Sequence, residues 1–440
     1  MEKKIAFFVG ELFMDFQTKV YSGIRRAMGE NDVRVDVFSN LGIFSGRGKS
    51  SESERKFINI PDLSDYDGII VAPDTYTLMG MKDAFIEKIK SDCKCPVISI
   101  RAEVDGFYNV LTDDHDAIES ITDHFIMVHN CKRIAYLSGK KEFKDAQERL
   151  RGFMDSMKKH GIEVTDKMIF HGDYWSAMTK EAIDWFLSDG MPEVIICAND
   201  YMAISVVDEL RDRGIKVPEQ IKVSGFDDIE ESRVLEPRLS TAKAPAEEMG
   251  YRALSNLCKL IDGEEVPVNT FLSVPAIFEG TCGCKVRKTG NIAKETFIRL
   301  QKIRLNIYRE LTSVTEYGIC ENINDIFNAS YVHSKGFDYK KIFVCLCNGE
   351  PNDFYSDEMK LAAIMSPEGL NLDCEETFKR TEILPAQYRD ESNLLCVFTL
   401  HFNGKCFGYI AMEVDDAESL TEGFMLWSFG LSSNLARFLD

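Results

Sequence analysis

Short apolar runs alternate with amphipathic stretches along the first two thirds of the chain. The runs at residues 5–9, 33–38, 68–72, 96–100, 133–138, 168–171, 194–198 and 222–226 are each closed by a turn or a polar residue and predict strands. Between them, residues 16–28, 81–90, 114–128, 147–160, 179–187, 201–213 and 246–261 predict helices. This alternation is the signature of βαβ units and a largely parallel sheet. Eight strands exceed one six-stranded domain, so two lobes are expected. From residue 292 to 317, Phe297, Leu300, Ile303, Ile307, Leu311 and Val314 recur every three or four positions and predict a connecting helix. Such a stripe either pairs with its copy in a second chain as a short coiled coil or packs as an ordinary helix. Beyond it the pattern predicts a helix at 323–331, strands at 341–348, 394–402 and 406–413, and a final helix at 419–439. Asn403-Gly404 marks a hairpin turn between the last two strands.

A chain of 440 residues is too long for one ordinary core, so two or three domains are expected. The formal charge of −20 is a poor match for a phosphate backbone and argues against a direct nucleic-acid partner. Five apolar residues, Ile5 to Val9, precede Gly10 and Glu11, short of a signal peptide's apolar region. No run approaches the roughly 18 apolar residues of a membrane helix, so a cytoplasmic protein without a membrane partner is expected. Thirteen scattered Cys residues suit a reducing compartment. Seven scattered His residues, no phosphate-cradling Gly-rich loop and no Ser elbow argue against an enzyme, and no cofactor is expected. Cys282 and Cys284 raise a metal reading, but a tetrahedral site wants four ligands and no paired Cys or His motif stands nearby in sequence, so no metal is expected. Cys345 and Cys347 alternate with Val344 and Leu346 in a strand, and Cys93 and Cys95 likewise have no His partner.

The most specific motifs lie between residues 133 and 241. Arg133-Ile134-Ala135-Tyr136-Leu137-Ser138-Gly139 is followed by Arg149-Leu150-Arg151-Gly152-Phe153; Ala198-Asn199-Asp200 leads to Gly214-Ile215-Lys216-Val217-Pro218; Gly225-Phe226-Asp227-Asp228-Ile229 precedes Glu236-Pro237-Arg238-Leu239-Ser240-Thr241. In order and spacing these resemble the ligand-binding core of the lactose-repressor family, the relatives of periplasmic sugar-binding proteins, over residues 4 to about 284. The resemblance implies an α/β fold with two Rossmann-like lobes, the type I periplasmic-binding-protein fold. It implies three crossovers, near 103–110, 229–239 and 269–274, and a ligand in the cleft between the lobes. Lobe 1 would take about 1–105 and 237–270, and lobe 2 about 106–236 and 271–284. A connecting helix at 285–318 and a small α+β domain at 319–440, GAF-like in architecture only, would follow. The charged stretch Lys285-Val286-Arg287-Lys288 marks the exit from the sensor.

Matching positions in that family contact ligand. Arg149 offers a rigid fork of donors, Asn199 donates and accepts at once, and Asp227 accepts from paired hydroxyls. Trp175 supplies a flat indole face for the C–H face of a sugar. Phe13, Asp15 and Phe16 after the first strand, with Asp113, Asp74 and Arg101, are further candidates. Each has a second reading: Asp227 and Asp228 as turn caps, Arg149 as a solvated helix charge, Asn199 as a helix N-cap, Trp175 as a rim aromatic, and Phe13 and Phe16 as packing for the first helix. Unlike a repressor, the chain starts at the first strand, with no helix-turn-helix before it. The arrangement is similar to bacterial signalling proteins, often diguanylate cyclases, in which such a sensor precedes an output module; an output beyond Asp440 is expected. The implied function is a non-enzymatic, homodimeric sugar sensor that closes on its ligand and signals through the helix and the GAF-like domain. The alternatives are an interaction scaffold with a vestigial cleft, or a transcription regulator acting through a partner.

Overall fold

The computed structural model of the protein describes residues 2–42, 49–78, 80–285, 292–349, 354–374, 376–389, 393–415, 420 and 422–439. The first elements are β1 (Lys3–Gly10), α1 (Asp15–Met28), β2 (Val33–Asn40), α2 (Lys49–Glu54), β3 (Gly68–Ala72), α3 (Met81–Asp92), β4 (Val97–Ile100) and β5 (Tyr108–Thr112). There follow α4 (Asp114–Met127), β6 (Ile134–Ser138), α5 (Lys144–Lys159), β7 (Ile169–His171), α6 (Thr179–Leu187), β8 (Val194–Cys197), α7 (Asp200–Asp212), β9 (Lys222–Ser224), α8 (Glu230–Val234) and β10 (Thr241–Ala242). Next come α9 (Ala246–Ile261), β11 (Asn269–Leu272), β12 (Ala276–Ile277), α10 (Ile292–Gly318) and α11 (Ile323–Ser334). The last are β13 (Lys341–Cys347), β14 (Glu358–Ser366), β15 (Gly369–Asn371), β16 (Thr377–Lys379), α12 (Ala386–Arg389), β17 (Leu394–Phe402), β18 (Lys405–Glu413) and α13 (Glu422–Leu439). The expected exit at 286–288 and the first residue of the expected last helix, 419, lie outside the described residues.

Two compact units result: Met1–Leu111, Ala246–Thr270 and Arg299–Asp440 form the first, and Thr112–Pro245 with Phe271–Ile298 the second. The first unit contains parallel strands in the order β5-β4-β3-β1-β2. β1 and β3 are continuous apolar runs because both of their faces are covered. The second unit is a four-stranded parallel sheet, β7-β6-β8-β9, with a short β10-β12 pair. Both are α/β layers of the kind the alternating pattern predicts.

The C-terminal strands do not form a sheet of their own. β17 lies parallel to β2, with Val35 opposite Leu394 and Ser39 opposite Phe398, so the order continues β2-β17-β18-β13-β14. The separate domain expected from residue 319 is thus part of the first unit. A single apolar core runs from Phe8, Phe38, Phe57 and Phe85 through Phe343, Leu395, Val397 and Tyr409. Within the added part the hairpin turns at Asn403 and Gly404, with φ of 48° and 93°. These left-handed values match the two-residue turn whose twist suits antiparallel strands. Ser313 and Tyr317 are buried on α10, and Tyr317 meets α11: the Tyr317 and Ser330 hydroxyls lie 2.8 Å apart, and Trp427 Nε1 of α13 donates to the Ser330 carbonyl at 2.8 Å.

Buried charge sits at the β2 junction. Asp36 of β2, fully buried, accepts from Arg389 Nη2 and, at 2.8 Å, from the Tyr66 hydroxyl. Farther along β17, past the end of β2, His401 Nε2 lies 2.6 Å from Glu54 Oε1, while Glu54 Oε2 accepts from the Leu41 N–H at 2.8 Å. Arg380 Nη1 donates to the carbonyls of Asn59 and Ile60. Removing one partner of a buried pair strands the other charge, at about 3–5 kcal/mol. Arg389→Ala is therefore expected to lower the unfolding free energy of the first unit, read from urea denaturation, by an amount in that range. Asp36→Asn combined with Arg389→Gln should recover most of the loss; equal midpoints for wild type and Arg389→Ala would show that the pair contributes nothing.

Candidate functional site

Because β6, β8 and β9 are parallel and adjacent, their carboxyl ends share one edge of the second unit. Open α/β sheets hold ligands at that edge. The turn after β9 carries Phe226, Asp227 and Asp228; the turn after β8 carries Ala198, Asn199 and Asp200; α5, following β6, brings Arg149.

Arg149 is 1% exposed. Its Nε donates to Asp114 Oδ2 at 2.8 Å, its Nη1 to the Ala198 carbonyl at 2.5 Å, and its Nη2 lies 4.0 Å from Asp227 Oδ1. The guanidinium stands over the Phe226 ring, 3.7 Å from its centroid. Burial opposes its charge, but the carboxylates of Asp114 and Asp227 more than offset burial and hold its pKa well above the ordinary value. The solvated-charge reading therefore does not describe Arg149. It is the charged centre beneath this edge.

Asp227 takes φ 111°, a conformation L residues other than Asn and Asp rarely adopt. Two backbone hydrogen bonds hold it there: its N–H donates to the Ala242 carbonyl at 2.8 Å, and its carbonyl accepts from the Ala244 N–H at 3.3 Å. Its side chain keeps 18% exposure, so the carboxylate faces both Arg149 and solvent. Asp228 differs: it is buried and accepts from Arg233 Nη2 at 2.9 Å and Nε at 3.2 Å, tying α8 to the turn.

Asn199 is the N-cap of α7; its Oδ1 accepts from the Met202 N–H at 3.0 Å and its Nδ2 donates to the Tyr174 carbonyl at 2.9 Å. Both ends of the amide are thus engaged within the protein. Asp200, fully buried, accepts from the Thr241 hydroxyl at 2.6 Å and the Ile229 N–H at 3.0 Å. Burial drives its carboxyl well above the carboxylate range, and those hydrogen bonds pull the other way. A Cβ on Gly225 would come within 2.2 Å of Asp200 Oδ1, which is why the motif needs glycine there.

The Asn199 bond fixes Tyr174, whose φ is 70° and whose hydroxyl donates to Asp145 Oδ2 at 2.8 Å. Burial first, and Asp145 beside it, raise the Tyr174 phenol, so it keeps its proton. Trp175 is 58% exposed and tilts against Tyr201 with centroids 5.3 Å apart. Asp113 is the N-cap of α4, accepting from the Asp116 N–H at 3.2 Å. The sequence did not single out Asp114, Tyr174 or Asp145. Asp114 reads there as the first residue of a helix, and only the buried Arg149 marks it.

In the first unit the candidates are spread out. Phe13 and Phe16 are half-buried at the start of α1, and the Arg101 guanidinium lies 5.1 Å from the Phe16 ring centroid. Asp15 pairs with Lys19 at 2.5 Å, and Asp74 with Lys82 at 2.5 Å near the surface. The structure brings Phe16 and Arg101 together and leaves Asp15 and Asp74 in local ion pairs.

Residues 122–281 match the family model described as periplasmic binding protein-like domain. That stretch of the chain is thus similar to a periplasmic-binding-protein-like domain, the kind that lactose-repressor-family regulators carry. Among curated proteins it is 29% identical over 220 residues to the probable HTH-type transcriptional repressor ExuR of Bacillus subtilis, covering 48% of this chain and 66% of that protein. It is 30% identical over 184 residues to the HTH-type transcriptional regulator GalR of Escherichia coli, covering 41% and 53%. The chain therefore spans about half to two thirds of the length of these relatives. Among solved structures, the transcriptional regulator CelR in complex with cellobiose matches with a TM-score of 0.53 and 22% identity, covering 63% of this chain and 84% of that one. The transcription regulator CcpA of Lactococcus lactis matches with a TM-score of 0.53 and 18% identity, covering 64% and 99%. These likenesses show the fold. The relatives are regulators, not enzymes, in line with the non-enzymatic reading. The expectation of no nucleic-acid partner is not supported, since the curated relatives are by name HTH-type regulators. Among the described residues no helix is long and apolar enough to cross a membrane.

Arg149→Met leaves Asp114 buried without its cation and should cost the second unit about 3–5 kcal/mol, measured as accelerated amide exchange in α4 and β6. Arg149→Lys should recover little, because an ammonium cannot reproduce the fork spanning Asp114 and the Ala198 carbonyl. Full recovery with lysine would reduce Arg149 to a simple charge.

Proposed function

We propose that the protein is a non-enzymatic, cytoplasmic sensor of a small polar ligand, a sugar in preference, serving as the ligand-binding part of a transcription regulator. The observation that carries this is the Asp227 carboxylate, fixed at the carboxyl edge of the β7-β6-β8-β9 sheet above the buried, charged Arg149. An accepting carboxylate after β9 and the exposed Trp175 face after β7, both at the carboxyl edge of the sheet, suit a hydroxylated ring, with hydroxyls donating to Asp227 and C–H groups resting on the indole. Arg149 acts here as a positioning residue. The preference for sugar is also supported by the cellobiose complex of the structural relative.

The signal is read through α10. Phe297, Leu300, Ile307, Leu311 and Val314 are exposed along it while Ser313 and Tyr317 face inward, which supports pairing with a second copy of the chain.

Binding should be read as a thermal shift of the full chain against a panel of mono- and disaccharides. At one hundred times the dissociation constant a sugar should add about 2.7 kcal/mol to the wild type. Asp227→Asn, which keeps the tolerance for positive φ but loses the charge, should lose most of that shift. A panel without any shift, or a shift unchanged in Asp227→Asn, would sink the reading. Separately, Ile307→Glu with Leu311→Glu should halve the mass measured by light scattering; an unchanged mass would remove α10 from the dimer.

A further inference from the structure

Away from the ligand-facing edge, a second chemical cluster joins the two ends of the second unit. α4 ends with the Val128 N–H donating to the His124 carbonyl at 2.9 Å, and Asn130, with φ 56°, turns the chain back so that His129 faces His124. From the other end of the unit, the turn Gly280–Cys282 is held by Thr281, whose N–H donates to the Arg238 carbonyl at 2.9 Å and whose hydroxyl donates to the Val223 carbonyl at 2.7 Å. Gly283, with φ 86°, then directs Cys284 to the same spot as Cys282. The four ligand atoms, two imidazole nitrogens and two sulfurs, all lie within 4.8 Å of one another.

The spacings are those of a tetrahedron. Metal–nitrogen bonds of about 2.05 Å and metal–sulfur bonds of about 2.3 Å at tetrahedral angles place ligand atoms about 3.3 Å apart for two nitrogens and about 3.6 Å for nitrogen and sulfur. Here His124 Nε2 and His129 Nε2 are 3.2 Å apart, Cys284 Sγ lies 3.5 Å from His124 Nε2 and 3.6 Å from His129 Nε2, and Cys282 Sγ lies 3.9 Å from His124 Nε2. The arms are rigid: the His124 ring stacks on Phe278 with centroids 3.5 Å apart and planes 8° off parallel, and Cys282 is fully buried. Two imidazoles meeting nitrogen to nitrogen, with two thiols on the same point, form a poor hydrogen-bond set and a complete ligand set.

We propose that His124, His129, Cys282 and Cys284 bind one zinc-class divalent ion as a closed structural site. Four protein ligands leave no open position, so the ion does no chemistry there. Two thiolates and two neutral imidazoles balance its charge. The ion clips the last segment of the second unit to α4, just before the residues that lead into α10. The single Cys-x-Cys pair, unaccompanied in sequence, thus finds its two His partners about 155 residues upstream. The site does not depend on which ligand the sensor edge takes.

The test is metal analysis of the full chain purified under reducing conditions without chelator. One zinc per chain is expected in the wild type, and loss of that zinc in Cys284→Ser and in His129→Gln. Should those variants fail to fold, wild-type protein stripped by a chelator and titrated with cobalt still decides. Tetrahedral thiolate coordination gives intense visible bands and a near-ultraviolet thiolate-to-metal transition, saturating at one equivalent. A wild type that holds no zinc and gives no such cobalt spectrum overturns the proposal. So does zinc retained at full stoichiometry in both folded variants, which would place the ion elsewhere.

Discussion

The contact between Asp36 and Arg389 settles where more than a hundred residues of the chain reside. A fully buried carboxylate on β2 is tolerable only with a cation and donors around it, and these arrive from α12 and Tyr66. Once Arg389 is seated, β17 lies in register along β2, and the strands that follow extend the same sheet. The His401–Glu54 contact and the Arg380 bonds to Asn59 and Ile60 tie further late residues to the early segment. The apolar core then has no seam between the early and late segments.

A second buried arginine performs a different task. Arg149 is fixed by Asp114 and the Ala198 carbonyl, and its remaining nitrogen faces a carboxylate that stays partly open to solvent. Arg389 closes a junction, whereas Arg149 biases a surface. The polar groups around it are arranged in tiers: Asp200 and Asp228 hold the turn, Asn199 holds Tyr174, and Asp227 is left facing outward. A ligand at this edge meets a scaffold whose internal hydrogen bonds are already made, so little ordering remains to oppose binding.

Local pattern carried most of the architecture. The strand at 68–72 and the helices at 179–187 and 246–261 fall where the periodicity puts them, because each is long enough to show its period and is closed by a turn. β5 and the two-residue strands were not legible, being too short or too polar to stand out. The pairing of β2 with β17 leaves no trace in sequence, since parallel strands far apart in the chain share no turn whose residues announce them. At the ligand edge, Arg149 and Asp227 were legible through the motif. Asp114 and Tyr174 were not, for their roles depend on a buried charge and a positive φ that no spacing encodes. Cys282 and Cys284 were visible as a pair, and only folding shows what stands opposite them.

The β2–β17 seam also bears on how the protein can be divided. An eight-residue strand, Val33–Asn40, with Val33, Val35, Val37 and Phe38 buried, would become a bare sheet edge if the chain were cut after the sensor motifs. Such an edge is long and apolar, with none of the prolines or outward lysines that blunt natural edges. Asp36 would lose its arginine in the same cut. An isolated fragment ending near residue 284 is thus a template for strand addition between molecules, and the late segment serves the early one as a chaperone built into the same chain.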